Sequence, residues 1–136
     1  AVLPFGNKVI IRDFTGEQLL LALEHGVADY KGVGAPVLHT AGLRYVYNPA
    51  LPSGKRIVRA ELLGEGETTK ALVPTARYRV ALVDYLERRG DGYAMLSKGT
   101  PVGAPDPVDA DVLSAYIKKH SPLHTLPSDR LVKQTQ

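Results

Sequence analysis

Around Pro36 the apolar residues of this chain change period, and that change constrains the fold more than any other feature. Upstream, Leu19, Leu20, Leu23 and Val27 recur at helical spacing. They follow Thr15-Gly16-Glu17-Gln18, a capping box in which the Thr hydroxyl accepts from the backbone three residues on while Gln18 reaches back. A helix of about three turns ending near Gly26 is predicted. Downstream, Leu43, Tyr45 and Tyr47 alternate with Arg44 and Val46, the period of a strand. Arg56–Leu63 and Ala76–Val83 alternate too, and Val37–Thr40 reads as a short strand. Strands in succession joined by short turns predict an antiparallel sheet.

The flanks complete the reading. The β-branched run Val9, Ile10, Ile11 places a strand at Lys8–Asp13, after a Gly6-Asn7 turn signal. Asp29–Pro36 and Gly64–Pro74 read as loops, and the Gly32-Val33-Gly34 pair lacks the strand and helix that a phosphate cradle needs. Lys98–Pro107 is a Gly/Pro-rich linker, and a brief extended stretch is expected at Ala94–Leu96. Asp109–Lys119 is predicted helical, with Val112, Leu113, Tyr116 and Ile117 on one face and Lys118 and Lys119 against the C-terminal dipole. Pro122 forbids its continuation, and one last strand is expected at Arg130–Lys133.

With 136 residues the chain suits one domain. It has no apolar run long enough to span a membrane and no cysteine, which excludes a disulfide framework and thiolate metal sites. Seventeen basic and fourteen acidic residues are interspersed, so no basic stripe marks a nucleic-acid polymer as partner. The opening Ala1-Val2-Leu3-Pro4-Phe5 has neither a charged leader nor an initiating Met, and reads as part of something longer.

One loop is built to present groups rather than to join elements. Val83–Tyr93 carries two tyrosines, three acidic side chains and two arginines beside Gly90 and Gly92, and glycine accepts positive φ without steric cost. Arg89-Gly90-Asp91 within it is also an R-G-D tripeptide, so a non-catalytic adhesion module is a competing reading.

Leu3-Pro4-Phe5-Gly6-Asn7, Thr15-Gly16-x-x-Leu19, Ala41-Gly42-Leu43-Arg44-Tyr45-Val46-Tyr47, Pro52-x-Gly54-x-Arg56 and Asp84-Tyr85-Leu86 with Gly90-Asp91-Gly92-Tyr93 together resemble the C-terminal domain of the 5'-nucleotidase family. That family includes ecto-5'-nucleotidase, UDP-sugar hydrolase and apyrase-like enzymes, and the likeness runs through nearly the whole chain in order. It implies an α+β fold with a mixed, mostly antiparallel sheet and two main helices. It also implies a division of labour: an N-terminal metallophosphoesterase domain, absent from this chain, holds two divalent metal ions and hydrolyses the phosphate ester, while the C-terminal domain binds the nucleoside. This chain alone would then be inactive, with no catalytic residue, metal or cofactor of its own. Its histidines agree with that expectation, since His120 and His124 are separated by Pro122 and cannot share a helical face, and His25 and His39 are isolated.

Carried over residue by residue, the resemblance places Phe5 and Tyr85 at the two aromatic positions between which the family stacks its base. Stacking contributes about 1–3 kcal/mol per base without demanding one base identity. Asp91 falls at the ribose-binding aspartate, and charge-assisted hydrogen bonds from hydroxyls are the strong kind; Gly90 and Gly92 would let it approach. Two departures stand out: Asp84 where the family usually has Asn, and Arg89 where it usually has Gly. If position 89 needs φ > 0, Arg strains where Gly would not. Arg88 and Arg89 also bring positive charge, suited to a polyphosphate or nucleotide sugar or simply solvated. Other ligands on the same scaffold, as in a thiosulfohydrolase or cyclic-nucleotide phosphodiesterase, remain alternatives. The resemblance implies a periplasmic, cell-surface or secreted enzyme.

Overall fold

The computed structural model describes residues 3–28, 36–103, 105–124 and 129–134. In chain order the elements are β1 (Val9–Thr15), α1 (Gly16–Val27), β2 (Leu43–Tyr47), β3 (Ile57–Leu63), β4 (Thr69–Ala71), β5 (Arg77–Val83), α2 (Asp84–Glu87), β6 (Thr100–Pro101), α3 (Asp109–His120) and β7 (Leu131–Lys133). They fall into two units, one of residues 1–14 and 77–126, the other of residues 15–76 and 127–136.

The capping box sets the start of the second unit. Gln18 N–H donates to the Thr15 hydroxyl at 3.3 Å while Thr15 N–H donates to Gln18 Oε1 at 2.8 Å, fixing where α1 begins. The helical stripe then buries Leu23 and Val27 against Tyr45 and Tyr47 of β2, with Leu38, Ile57 and Leu131 packed around them. A buried tyrosine needs a partner for its hydroxyl, and Tyr45 donates to Leu38 C=O at 2.7 Å. At the far end of α1, Arg56 donates to Val27 C=O at 2.6 Å and to Ala28 C=O, satisfying carbonyls that the helix leaves open. Glu24 completes the lock by accepting the Arg56 and Ile57 N–H groups at 3.0 and 2.7 Å.

The sheet of this unit runs β4-β3-β2-β7. β2 and β3 are antiparallel with Tyr45 opposite Ala60, β3 and β4 are antiparallel, and β7 lies parallel to β2 with Leu131 opposite Tyr45. The sheet is therefore mixed. Its third antiparallel member is not Ala76–Val83, as the run of alternating segments suggests, but β4, inside the stretch read as turns. All three β4 side chains are exposed, so no alternation marked it. Val37–Thr40 is not a strand either, yet Val37 and Leu38 pack against the core. Gly32-Val33-Gly34 lies outside the described residues.

The first unit holds a sheet of order β5-β1-β6. Arg12 and Asp13 of β1 pair antiparallel with Pro101 and Thr100. Among its described residues, Ile10, Phe14, Tyr93 and Leu96 are the buried apolar side chains. Arg79 of β5 grips Asp13 with two hydrogen bonds of 2.9 and 3.1 Å, which hold the Asp13 carboxyl below the usual carboxylate range. Lys98–Pro107 is more than a linker, because Val102 N–H donates to Ile11 C=O at 3.2 Å and Pro107 C=O accepts from Val9 N–H at 2.8 Å. Ala94–Lys98 is a 3-10 helix rather than an extended stretch. α3 ends where Pro122 requires, and Val112, Leu113, Tyr116 and Ile117 are all exposed along it.

Candidate functional site

Every site residue expected from the sequence lies in the first unit. The opening segment is tied down just after its Gly6 turn. Gly6 takes φ +64, Asn7 C=O accepts from Asp109 N–H at 2.8 Å, and Lys8 exchanges two 2.9 Å hydrogen bonds with Asp84, one to the carboxylate and one from its backbone N–H. Phe5 projects just before these anchors and is 84 % exposed. An aromatic ring left in water next to a fixed backbone is unusual, since such rings normally carry much of a core's burial.

Asp84 also explains one departure from the family pattern. Its second carboxylate oxygen receives Arg88 at 2.8 Å, one helical turn on. An Asn could accept the Lys8 N–H, but its amide would turn two donors toward the guanidinium. Asp84 and Arg88 therefore suit each other, and Arg88 serves the loop's own geometry.

From Val83 the loop winds through α2 and then a 3-10 turn, Gly90–Gly92. Successive hydrogen bonds of 3.0–3.1 Å run from Arg88, Arg89, Gly92 and Tyr93 N–H back to Asp84, Leu86, Arg89 and Gly90 C=O. Winding this tightly forces left-handed backbone at three positions: Arg89 (φ 69), Asp91 (φ 52) and Gly92 (φ 81). Position 89 thus does require the conformation that Gly would supply, and Arg is held there at a cost of about 1 kcal/mol. Asp tolerates it better, because its short polar side chain can bond locally.

Gly90 is small for a different reason than the one expected. It does not take positive φ; instead the Tyr85 ring closes over it, and a Cβ there would fall 2.4–2.5 Å from three ring atoms. The same ring sends its hydroxyl to Asp91 Oδ1 at 2.9 Å. That hydrogen bond, then burial and the nearby negative charge, raise the Tyr85 phenol above its ordinary pKa, while the Asp91 backbone N–H works in the opposite direction. Tyr85 stays 46 % exposed. Tyr85, Gly90 and Asp91 are thus one assembly, with Asp91 engaged inside the turn that would have to display it as an R-G-D loop.

Tyr93 anchors the assembly from below. It is 1 % exposed, and burial followed by the Asp91 charge pushes its phenol up to about 12. Sequence reasoning placed Tyr93 on the loop without seeing it as the anchor, although tyrosine after Gly-x-Gly at the end of a tight turn is a natural plug.

Among the described residues no three His, Cys, Asp or Glu side chains come together to hold a metal ion. His120 instead stacks on Tyr116 at 4.1 Å and bonds Tyr116 C=O. No helix among the described residues is long and apolar enough to cross a membrane.

Comparison with known proteins gives these features a context. A snake venom 5'-nucleotidase from Naja atra is 30 % identical over 139 residues, covering 97 % of this chain and 26 % of that protein. The crystal structure of a 5'-nucleotidase precursor from Thermus thermophilus superposes with a TM-score of 0.90 at 31 % identity, over 99 % of this chain and 27 % of that one. The sulfate thiohydrolase SoxB of Thermus thermophilus, at 22 % identity and a TM-score of 0.71 over 95 % of this chain and 23 % of that one, shares the fold. The chain thus spans about a quarter of each of these relatives. The family model described as "5'-nucleotidase, C-terminal domain" matches residues 1–98, and the chain belongs to that family.

Proposed function

We propose that this chain is the nucleotide-recognition domain of a metal-dependent 5'-nucleotidase, which cleaves the phosphate ester of a nucleotide with water to give nucleoside and phosphate. The observation that carries the reading is the Tyr85 assembly: a half-exposed ring seated on Gly90, its hydroxyl on Asp91, in the same unit as the 84 % exposed Phe5. Two exposed aromatic rings beside anchored turns suit a planar base, which gains apolar burial and stacking from them. A carboxylate beside one ring suits the sugar hydroxyls that follow the base.

In this reading Phe5 and Tyr85 hold the base, Asp91 accepts from the ribose, and Gly90 and Gly92 give the loop its shape. The two divalent metals and the hydrolytic chemistry belong to an N-terminal metallophosphoesterase domain, the partner of this one. The contribution of this chain is orientation, which turns binding energy into rate by fixing where the phosphate lies. Arg89, exposed beside the loop, is available to further phosphates of a longer nucleotide. An exported enzyme, periplasmic, at the cell surface or secreted, fits the venom relative.

Kinetics of the full-length enzyme test the reading. Phe5→Ala and Tyr85→Ala should each raise KM for AMP by about tenfold, the size expected for one lost stack. An unchanged KM in both variants would remove the base from this site.

A further inference from the structure

The Tyr85 hydroxyl has no part in stacking, since a phenylalanine ring would stack as well. Its position is nonetheless determined. It donates to Asp91 Oδ1 at 2.9 Å and also meets the Asp91 backbone N–H, so one side chain holds both the carboxylate and the peptide of the same residue. Asp91 needs such a hold. Its backbone is left-handed (φ 52, ψ 23), its neighbours on both sides are glycines, and its side chain is exposed. A carboxylate on backbone of this kind would otherwise sample several orientations, each with a different hydrogen-bonding direction.

We propose that the Tyr85 hydroxyl is the positioning group for Asp91, coupling the base stack to sugar recognition so that the domain selects nucleotides with an intact 2',3'-diol over those lacking it. The inference rests on the nucleoside reading of the site. A vicinal diol presents two donors at fixed separation, and a carboxylate meets both only in a narrow range of orientations. Fixing that orientation before the ligand arrives removes an ordering cost that only diol-bearing ligands would incur. Tyr85 itself touches the base, and its hydroxyl acts on the sugar through Asp91.

The test compares AMP with 2',3'-dideoxy-AMP as substrates of the full-length enzyme carrying Tyr85→Phe, Asp91→Asn or both. Tyr85→Phe keeps the stack, so KM for the dideoxy substrate should not change, while KM for AMP rises about three- to tenfold, the worth of one positioned hydrogen bond. The preference for the diol should narrow by that factor. Once Asp91→Asn is in place, adding Tyr85→Phe should cost little more, because the two residues act as one unit. Equal losses on both substrates, or no loss on either, would overturn the proposal. Tyr85→Ala separates this from failure of the nucleoside reading. If Tyr85→Ala weakens both substrates and Tyr85→Phe weakens neither, the stack stands without the hydroxyl's role; if Tyr85→Ala weakens neither, both fall together.

Discussion

Tyr45 and Tyr85 are the same residue put to opposite uses. Tyr45 sits in the second unit at 1 % exposure, its hydroxyl spent on Leu38 C=O and its ring wedged among Leu23, Val27 and Tyr47. Tyr85 sits in the first unit at 46 % exposure, its hydroxyl on Asp91. The first hydroxyl closes a core, and the second arranges a surface. The backbone beneath them differs in the same sense. β2 keeps extended backbone even where its register with β3 shifts between Val46 and Tyr47, whereas the Tyr85 loop holds a non-glycine residue at φ 69. Strain kept at an exposed loop suggests that the shape of that loop matters for something other than stability.

If the contrast is right, truncating the two tyrosines must separate stability from function. Tyr45→Ala should destabilise the fold by about 3–5 kcal/mol, as for other large buried rings, measurable as a lowered denaturation midpoint. Tyr85→Ala should cost much less, about 1–1.5 kcal/mol for a half-exposed ring and one hydrogen bond, while showing the KM effect given above. A large stability loss at Tyr85 would make it a core residue and break the comparison. A smaller effect of opposite sign should come from Arg89→Gly. Relief of about 1 kcal/mol of left-handed strain, largely offset by the greater entropy of an unfolded glycine, should stabilise by up to about 0.5 kcal/mol. Destabilisation on that change would mean that the Arg89 side chain holds the loop in a way its exposure does not suggest.

Titration sharpens the same point at the base of the loop. Tyr93 ionises near 12 in the folded chain against an ordinary 10.0. Its folded pKa is raised, so its contribution to stability is complete below pH 10 and is lost as the pH climbs from 10 toward 12, where the unfolded chain releases this proton first. Absorbance at alkaline pH should show Tyr93 ionising only as the protein unfolds, and its substitution by Phe should flatten that part of the stability profile.

Much of this was legible in the sequence where local chemistry decides. The Thr15–Gln18 box and the Leu23/Val27 stripe specify α1 almost to the residue, because a cap and a 3.6-residue period are both local signals. Strand partners were not, since Ala76–Val83 and β2 alternate alike and only long-range packing sends the former to β1. The residues of the candidate site came from a resemblance rather than from spacing. Nothing local reveals that Gly90 makes room for a ring or that Tyr93 plugs the loop. Those are contacts between side chains and backbone several residues apart in a non-repetitive segment, where no period exists to read.

The most direct measurement is a titration of this chain with adenosine, AMP and inorganic phosphate, following the ring resonances of Phe5 and Tyr85. Saturable shifts of both rings with adenosine and AMP, and none with phosphate, are the result expected of a nucleoside site built on these two aromatics. Rings that keep their shifts with adenosine and AMP, in a chain whose other resonances show it folded, would contradict it.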